Sequence, residues 1–230
     1  MDKAILKRHN FIYLADAGRR KIFQSLQDTF QSPVLEMAEE IFCGPVNIPG
    51  FARRGGNHDN ILSDYDIPLG FVHYRRISGN RLRIGAYGHS GFIIKVSTPY
   101  EVLAEGALHM DVRTRCMEAA AEIYGISLKY GIAAGILGSA GLELATGLHY
   151  TDGASDLDFL IKPAPLPLLK AFYDEARSLY PGINMDFEVD FPNGYGVKLA
   201  ELFMDTRTVL GKSIDNISLL SRKDIIGYLT

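Results

Sequence analysis

Gly138-Ser139-Ala140-Gly141-Leu142-Glu143-Leu144-Ala145-Thr146-Gly147-Leu148-His149-Tyr150-Thr151-Asp152-Gly153-Ala154-Ser155-Asp156-Leu157-Asp158-Phe159-Leu160-Ile161 is the stretch that decides how the chain is read. The apolar run Ile132 to Leu137 predicts a strand feeding into it, Ala140 to Thr146 a helix, and Asp156 to Ile161 a second strand. Gly138 and Ser139 fall where the first strand gives way to the helix, and there free backbone N–H groups and the helix dipole can cradle an anion. Side chains alternate faces along a strand, so Asp156 and Asp158 point the same way, about 6–7 Å apart, while Leu157 and Phe159 face a core.

Downstream, Pro165 to Tyr180 predicts a helix and Asn184 to Phe191 a strand, giving a β-α-β-α-β order and an α/β layer. Within that strand, Met185-Asp186-Phe187-Glu188-Val189-Asp190-Phe191 alternates acid with apolar, so its carboxylates share one face. Taken alone, either acidic set reads as solvated. Adjacent in a β-α-β unit, they would bring a third carboxylate to the Asp156 and Asp158 pair. Mg²⁺ takes a few acidic oxygens plus water and substrate phosphate, and phosphoryl-type transfers use two such ions about 3.5–4 Å apart, which need about three acids. The expected site is therefore Asp156 and Asp158 as metal ligands and Asp186 or Glu188 as third ligand or general base, with Asp190 the weaker choice. Gly138 and Ser139 would hold phosphate. Pro192-Asn193-Gly194 predicts a hairpin turn into Tyr195 to Leu199, and Ser221-Arg222-Lys223-Asp224 a capping box opening a last helix.

Upstream the pattern changes. Phe11 to Leu14 predicts a strand, and Ala15 to Leu26 a helix interrupted by the basic run Gly18-Arg19-Arg20-Lys21. The short runs 67–72, 82–86 and 92–96, separated by turns such as Ser78-Gly79-Asn80, predict a small antiparallel sheet. Thr98-Pro99 leads into a short helix, and Asp111 to Tyr130 predicts a longer one with one buried face. The expected fold class is mixed α+β/α/β. A small, mainly antiparallel N-terminal domain over 1–108 precedes a catalytic domain with a mixed sheet and flanking helices over 109–230.

A chain of 230 residues that is 47% hydrophobic and 22% charged can bury one large core or two small ones. Its net charge of -3 is uneven: 1–108 holds 13 Lys/Arg against 11 Asp/Glu, and 109–230 holds 11 against 16. An acidic catalytic half argues against nucleic acid, whose phosphates need a basic face. The uncharged run Gly131 to Leu142 falls short of the roughly 20 residues a membrane-spanning helix needs, and the charged start Met1 to Asn10 does not read as a signal peptide. A cytoplasmic protein with no membrane partner is expected. Cys43 and Cys116 are far apart, with no CxxC, and read as free thiols.

Gly138-Ser139, Ser155-Asp156-Leu157-Asp158 and the acidic strand resemble the Gly-Ser…Asp-x-Asp…Asp/Glu pattern of the nucleotidyltransferase superfamily. More narrowly, Thr146-Gly147-Leu148, Asp186-x-Glu188 with Pro192-x-Gly194, and Val209-Leu210-Gly211-Lys212-Ser213 resemble the malonate decarboxylase holo-acyl-carrier-protein synthase family, also called phosphoribosyl-dephospho-coenzyme-A transferase. Arg8-His9-Asn10-Phe11-Ile12-Tyr13-Leu14 and Asp66-Ile67-Pro68-Leu69-Gly70 are similar to that family's opening and its Leu-Pro-Leu-Gly-like segment. The chain departs from the pattern at Asn10, where the family has Asp, in lacking Trp, and at Ala200, where an arginine is expected. The resemblance implies a nucleotidyltransferase-like sheet in the C-terminal half. It also implies transfer of the 2′-(5″-phosphoribosyl)-3′-dephospho-CoA group from its triphosphate precursor to a serine of an apo acyl carrier protein subunit, with loss of pyrophosphate. Lys212 would neutralise the phosphate tail.

Two rivals share parts of the pattern: another small nucleotidyltransferase, acting on a small molecule or a protein, and a non-catalytic binding module of the same fold. Mutual repulsion among the acids argues against the module. Gly211-Lys212-Ser213 fails as a phosphate loop because Thr206 stands where a Gly is required. His58-Asp59 has no second His/Asp set, Arg53-Arg54 and Arg75-Arg76 read as a basic face, and His9, His73, His89, His109 and His149 show no ligand spacing.

Overall fold

A computed structural model of the chain describes residues 7–53 and 66–229. His58, Asp59 and Arg54 lie outside the described residues. The chain divides into two compact units, Met1–Thr98 and Pro99–Thr230.

The first unit runs β1 (Phe11–Leu14), α1 (Asp16–Leu26), α2 (Val34–Cys43), β2 (Gly50–Ala52), β3 (Asp66–Ile77), β4 (Asn80–His89) and β5 (Ile93–Ser97). Its strands form one sheet in the order β4-β3-β2-β1-β5, antiparallel at every described pairing, as the alternating runs predict. Ser78 and Gly79, both at positive φ, close the β3–β4 hairpin in the two-residue turn that matches strand twist. Phe11, Ile12, Ile41, Phe42, Ile67 and Phe71 are fully or almost fully buried and form the core. The basic run does not interrupt α1. Arg19 turns inward, is only 4% exposed, and donates to the carbonyls of Ile41, Gly44 and Val46 at 3.2–3.4 Å, and to Asp16 at 2.6 Å. It thereby satisfies carbonyls that the end of α2 leaves without helical partners.

Pairing between β3 and β4 shifts register between Val72 and Arg76. Such a bulge lets successive side chains reach the same side, and His73, Tyr74 and Arg75 all meet Glu40 of α2. His73 Nε2 and Tyr74 OH lie 3.0 Å from Glu40 Oε2, and Arg75 pairs with Oε1. His73 Nδ1 accepts from the Arg75 N–H at 3.0 Å, so Nε2 carries the proton given to Glu40.

The second unit runs α3 (Pro99–Gly106), α4 (Arg115–Lys129), β6 (Ala134–Ile136), α5 (Gly138–Thr146), β7 (Leu157–Ile161), α6 (Leu166–Leu179), β8 (Met185–Asp190), β9 (Gly196–Lys198), α7 (Leu199–Leu202), β10 (Thr208–Lys212), β11 (Ile217–Ser221) and α8 (Arg222–Ile226). The sheet is mixed, in the order β11-β10-β9-β8-β7-β6, with β7 and β8 parallel and the other described pairings antiparallel. A parallel pair requires a crossover, which α6 supplies. One face of β7 and β8 is core: Phe159 stacks on Phe187 at 5.6 Å, and Phe172 of α6 meets Phe187 edge-on at 5.5 Å. The opposite face carries Asp158, Asp186, Glu188 and Asp190. Mixed α and β content with two sheets is what the sequence predicts; the parallel crossover is confined to β7 and β8.

Candidate functional site

The site begins where β6 ends. Leu137 N–H donates to the Asp158 carbonyl at 2.9 Å, and the chain then turns at Gly138, with φ +60°, into α5. A Cβ at Gly138 would stand 2.4 Å from Asp158 Oδ2. Only glycine admits both the left-handed backbone and the carboxylate. The Gly-Ser junction and the second acid of Asp-x-Asp thus meet, and half-buried Ser139 follows in the first turn of α5. The other end of α5 closes on Gly147 at φ +73°, whose N–H bonds to the Glu143 carbonyl at 2.8 Å. Thr146-Gly147-Leu148 is accordingly a helix cap.

Parallel pairing sets Asp158 opposite Asp186 and Leu160 opposite Glu188. Neighbouring strands lie about 4.8 Å apart, so the first two carboxylates are adjacent on one face. Asp156 is exposed, one residue before β7. Lys198, on β9 opposite Glu188, reaches across to Asp186 at 2.7 Å. That hydrogen bond to Asp186 holds the Lys198 ammonium above its ordinary range, against the effect of desolvation. At the far end of β8, Asp190 pairs with Lys162 at 2.5 Å and accepts from Tyr100 OH at 3.4 Å, while Lys162 lies 4.6 Å from the Tyr100 ring centre. Burial, then the charges of Asp190 and Glu188, push the Tyr100 phenol far up. Two lysines therefore relieve the acidic strand. Repulsion among its carboxylates no longer argues against a non-catalytic module.

A second cluster holds the loop that carries Asp156. Glu143, on α5 and 7% exposed, accepts from Thr151 N–H at 2.5 Å and Thr151 Oγ1 at 2.8 Å, and pairs with Arg113 at 3.2 Å. Arg113 also donates to the Thr151 carbonyl at 2.7 Å, and Thr114, which caps α4, shares a hydrogen bond with Thr151 Oγ1 at 2.9 Å. The segments leading into α4 and β7 are thus fastened to α5. Cys116 is buried beside them, its Sγ 3.6 Å from the Asp156 carbonyl, and burial followed by nearby carboxylates raises its thiol to about 12. It is an inert free thiol, as the cysteine spacing predicts.

The donor set is right in kind for Mg²⁺: aspartate oxygens in register beside a glycine that leaves room for them. Among the described residues, however, no three His, Cys, Asp or Glu side chains converge on one point. Asp158 and Asp186 are brought together, Asp156 stands at the loop edge, Glu188 is one register step away, and Asp190 belongs to the Lys162 pair. Lys212 ends β10 rather than sitting on a loop. It shares the acidic face through the Asp190–Gly196–Lys212 row, about 13 Å along β8 from Asp186 at strand rise. It is not brought to Gly138. The sequence reading missed Lys198, whose only signal was the alternation of Val197, Lys198 and Leu199 after a hairpin turn. It also missed Glu143 and Arg113, which no local pattern joins.

Among the described residues, no helix is long and apolar enough to cross a membrane. A family model described as phosphoribosyl-dephospho-CoA transferase MdcG C-terminal domain matches residues 103–223. No curated protein and no solved structure matches the chain.

Proposed function

The chain belongs to the phosphoribosyl-dephospho-CoA transferase MdcG family, whose C-terminal domain spans more than half of it, and on that premise we propose a specific reaction for the Asp158–Asp186 face. The protein moves the 2′-(5″-phosphoribosyl)-3′-dephospho-CoA group from its triphosphate precursor to a serine of the apo acyl carrier subunit of malonate decarboxylase, in the cytoplasm. The observation that carries the reading is the register of Asp158 with Asp186, beside Gly138 at the start of α5.

The serine hydroxyl attacks the α-phosphorus of the triphosphate. An Oγ–P bond forms, the P–O bond to pyrophosphate breaks, and the electron pair leaves with pyrophosphate. Glu188, or Asp186 once relieved of Lys198, takes the serine proton. Backbone N–H groups at Gly138 and Ser139 hold the β- and γ-phosphates. Asp158 and Asp186, with Asp156, would hold Mg²⁺, and the ions would supply positive charge to the departing pyrophosphate. Lys212, far along the same face, suits a more distant phosphate of so long a donor. The mixed sheet around β7 and β8 is read as nucleotidyltransferase-like, and the first unit as the part that binds donor or carrier.

The ion pair of Lys198 with Asp186 favours a second reading, in which the acidic face is purely structural in a non-catalytic module. One experiment decides. The protein is mixed with Mg²⁺, the triphosphoribosyl precursor and candidate apo carrier proteins, and the carriers are weighed by intact-protein mass spectrometry. Gain of the prosthetic-group mass on one carrier is expected. No gain on any carrier rejects the reaction, and gain from ATP on another acceptor would point to a different nucleotidyltransferase.

A further inference from the structure

Lys198 differs from Lys162, which also pairs with an acid of β8, in how it is held. Lys162 is fixed twice, by Asp190 at 2.5 Å and by the Tyr100 ring at 4.6 Å. Lys198 is hydrogen-bonded to Asp186 at 2.7 Å, with the charges of Glu201 and Asp158 also acting on it, and the paired side chains of Lys198 and Asp186 are 46% and 44% exposed. Its backbone is nonetheless anchored, because Val197 and Leu199 on either side are fully buried. A fixed stem with an accessible head suits a cation that exchanges partners. The charge balance asks for one: a triphosphate approaching Asp156, Asp158, Asp186 and Glu188 meets like charge. Lys198 is placed among those acids: it is registered opposite Glu188 and bonded to Asp186, which is itself registered opposite Asp158.

We propose that Lys198 is a substrate-contacting residue of the transfer site, whose ammonium leaves the Asp186 carboxylate to bind the pyrophosphate portion of the triphosphate donor and of the product. The inference rests on the transferase reading above and assigns that site its phosphate-binding cation. The exchange makes and breaks no covalent bond. It frees Asp186 as the polyphosphate arrives, so that donor binding itself prepares the carboxylate.

Inorganic pyrophosphate is the probe, titrated calorimetrically into the full chain with EDTA and again with Mg²⁺. Lys198→Gln is expected to weaken pyrophosphate binding about 10- to 100-fold, the loss typical of a charge-assisted contact. In transfer assays the same variant raises KM for the donor. Lys198→Arg, which keeps the charge, should recover affinity to within roughly fivefold. Asp186→Asn should do the opposite of Lys198→Gln in EDTA and tighten pyrophosphate binding, because the competing carboxylate is gone. A lysine that only braces the sheet would lower thermal stability in both Lys198→Gln and Asp186→Asn and leave pyrophosphate affinity unmoved, and that outcome overturns the inference. Failure of the two readings is separable. Wild-type transfer with unchanged pyrophosphate affinity in Lys198→Gln overturns this inference alone, whereas a wild type that neither transfers nor binds pyrophosphate overturns both.

Discussion

Glu40 of the first unit and Asp186 of the second are both carboxylates at a sheet surface with a cation beside them, yet they are built for opposite ends. Three consecutive side chains of a bulged strand converge on Glu40, filling both of its oxygens with the donors of His73, Tyr74 and Arg75. Burial of Glu40 works against its ionisation, but those hydrogen bonds and the Arg75 charge outweigh it and bring the carboxyl below its ordinary value. Asp186 instead holds one half-exposed lysine and stands in register with Asp158, beside which Gly138 leaves room. A saturated carboxylate fastens elements together. A carboxylate that shares one exchangeable partner with the solvent can take a ligand. Glu143, buried and fully engaged by Thr151 and Arg113, belongs with Glu40 although it lies in the second unit.

The contrast breaks most sharply at Asp158. Asp158→Asn, and likewise Asp156→Asn, should lower transfer at least about 10²- to 10³-fold, the range for removing one electrostatic element of a transition state. Circular dichroism and melting temperature should stay close to wild type. Normal transfer by either variant would remove the assignment. Gly138→Ala comes next: the left-handed backbone alone costs about 1–2 kcal/mol, and the added methyl must displace Asp158. Activity should therefore fall by more than the loss of folded protein explains, as a titration of active enzyme against denaturant would read.

Glu143→Gln leaves Arg113 without its buried counter-ion and should destabilise the second unit by about 3 kcal/mol in urea unfolding. Glu40→Gln should destabilise the first unit by about 1–2 kcal/mol, through lost charge-assisted hydrogen bonds. It should leave kcat of the folded enzyme within about twofold if Glu40 only fastens elements together, an outcome that Asp186→Asn cannot match. The smallest effect is on pH. Burial holds His73 below its ordinary 6.5, so as pH falls through that value the unfolded chain takes up the proton first and the first unit loses stability. Glu40 adds a second loss only below its ordinary 4.5. His73→Gln should flatten the first window, while Tyr74 and Arg75 keep part of the second, as melting curves from pH 8 to 3 would show; an unchanged slope between 6.5 and 5 would assign that loss to another group.

Much of the architecture was legible because it is periodic. Strict alternation from Met185 to Asp190 could only bury Met185, Phe187 and Val189 by turning its acids outward, and Ser78-Gly79 could only close a tight hairpin. The basic run Gly18 to Lys21 read as an interruption of α1 because it breaks the apolar spacing, whereas the open carbonyls at the end of α2 draw the Arg19 guanidinium inward and the helix continues. Lys212, read in sequence as neutralising the phosphate tail, lies at the end of β10 along the same face, a position that sheet register alone fixes.

The sequence by itself determined many of the elements, though not α2, β2, α7, β10 or β11, together with the two faces of β7 and β8 and the residue types at the site. These are local consequences of side-chain alternation, turn chemistry and helix capping, each set by a few neighbouring residues. The tertiary structure alone decided that Asp158 faces Asp186, that Gly138 lies against Asp158, and that Lys198 bonds to Asp186. Register and ion pairing depend on where distant segments meet. That meeting is set by packing the Phe159–Phe172–Phe187 core beneath the sheet, and no local period encodes it.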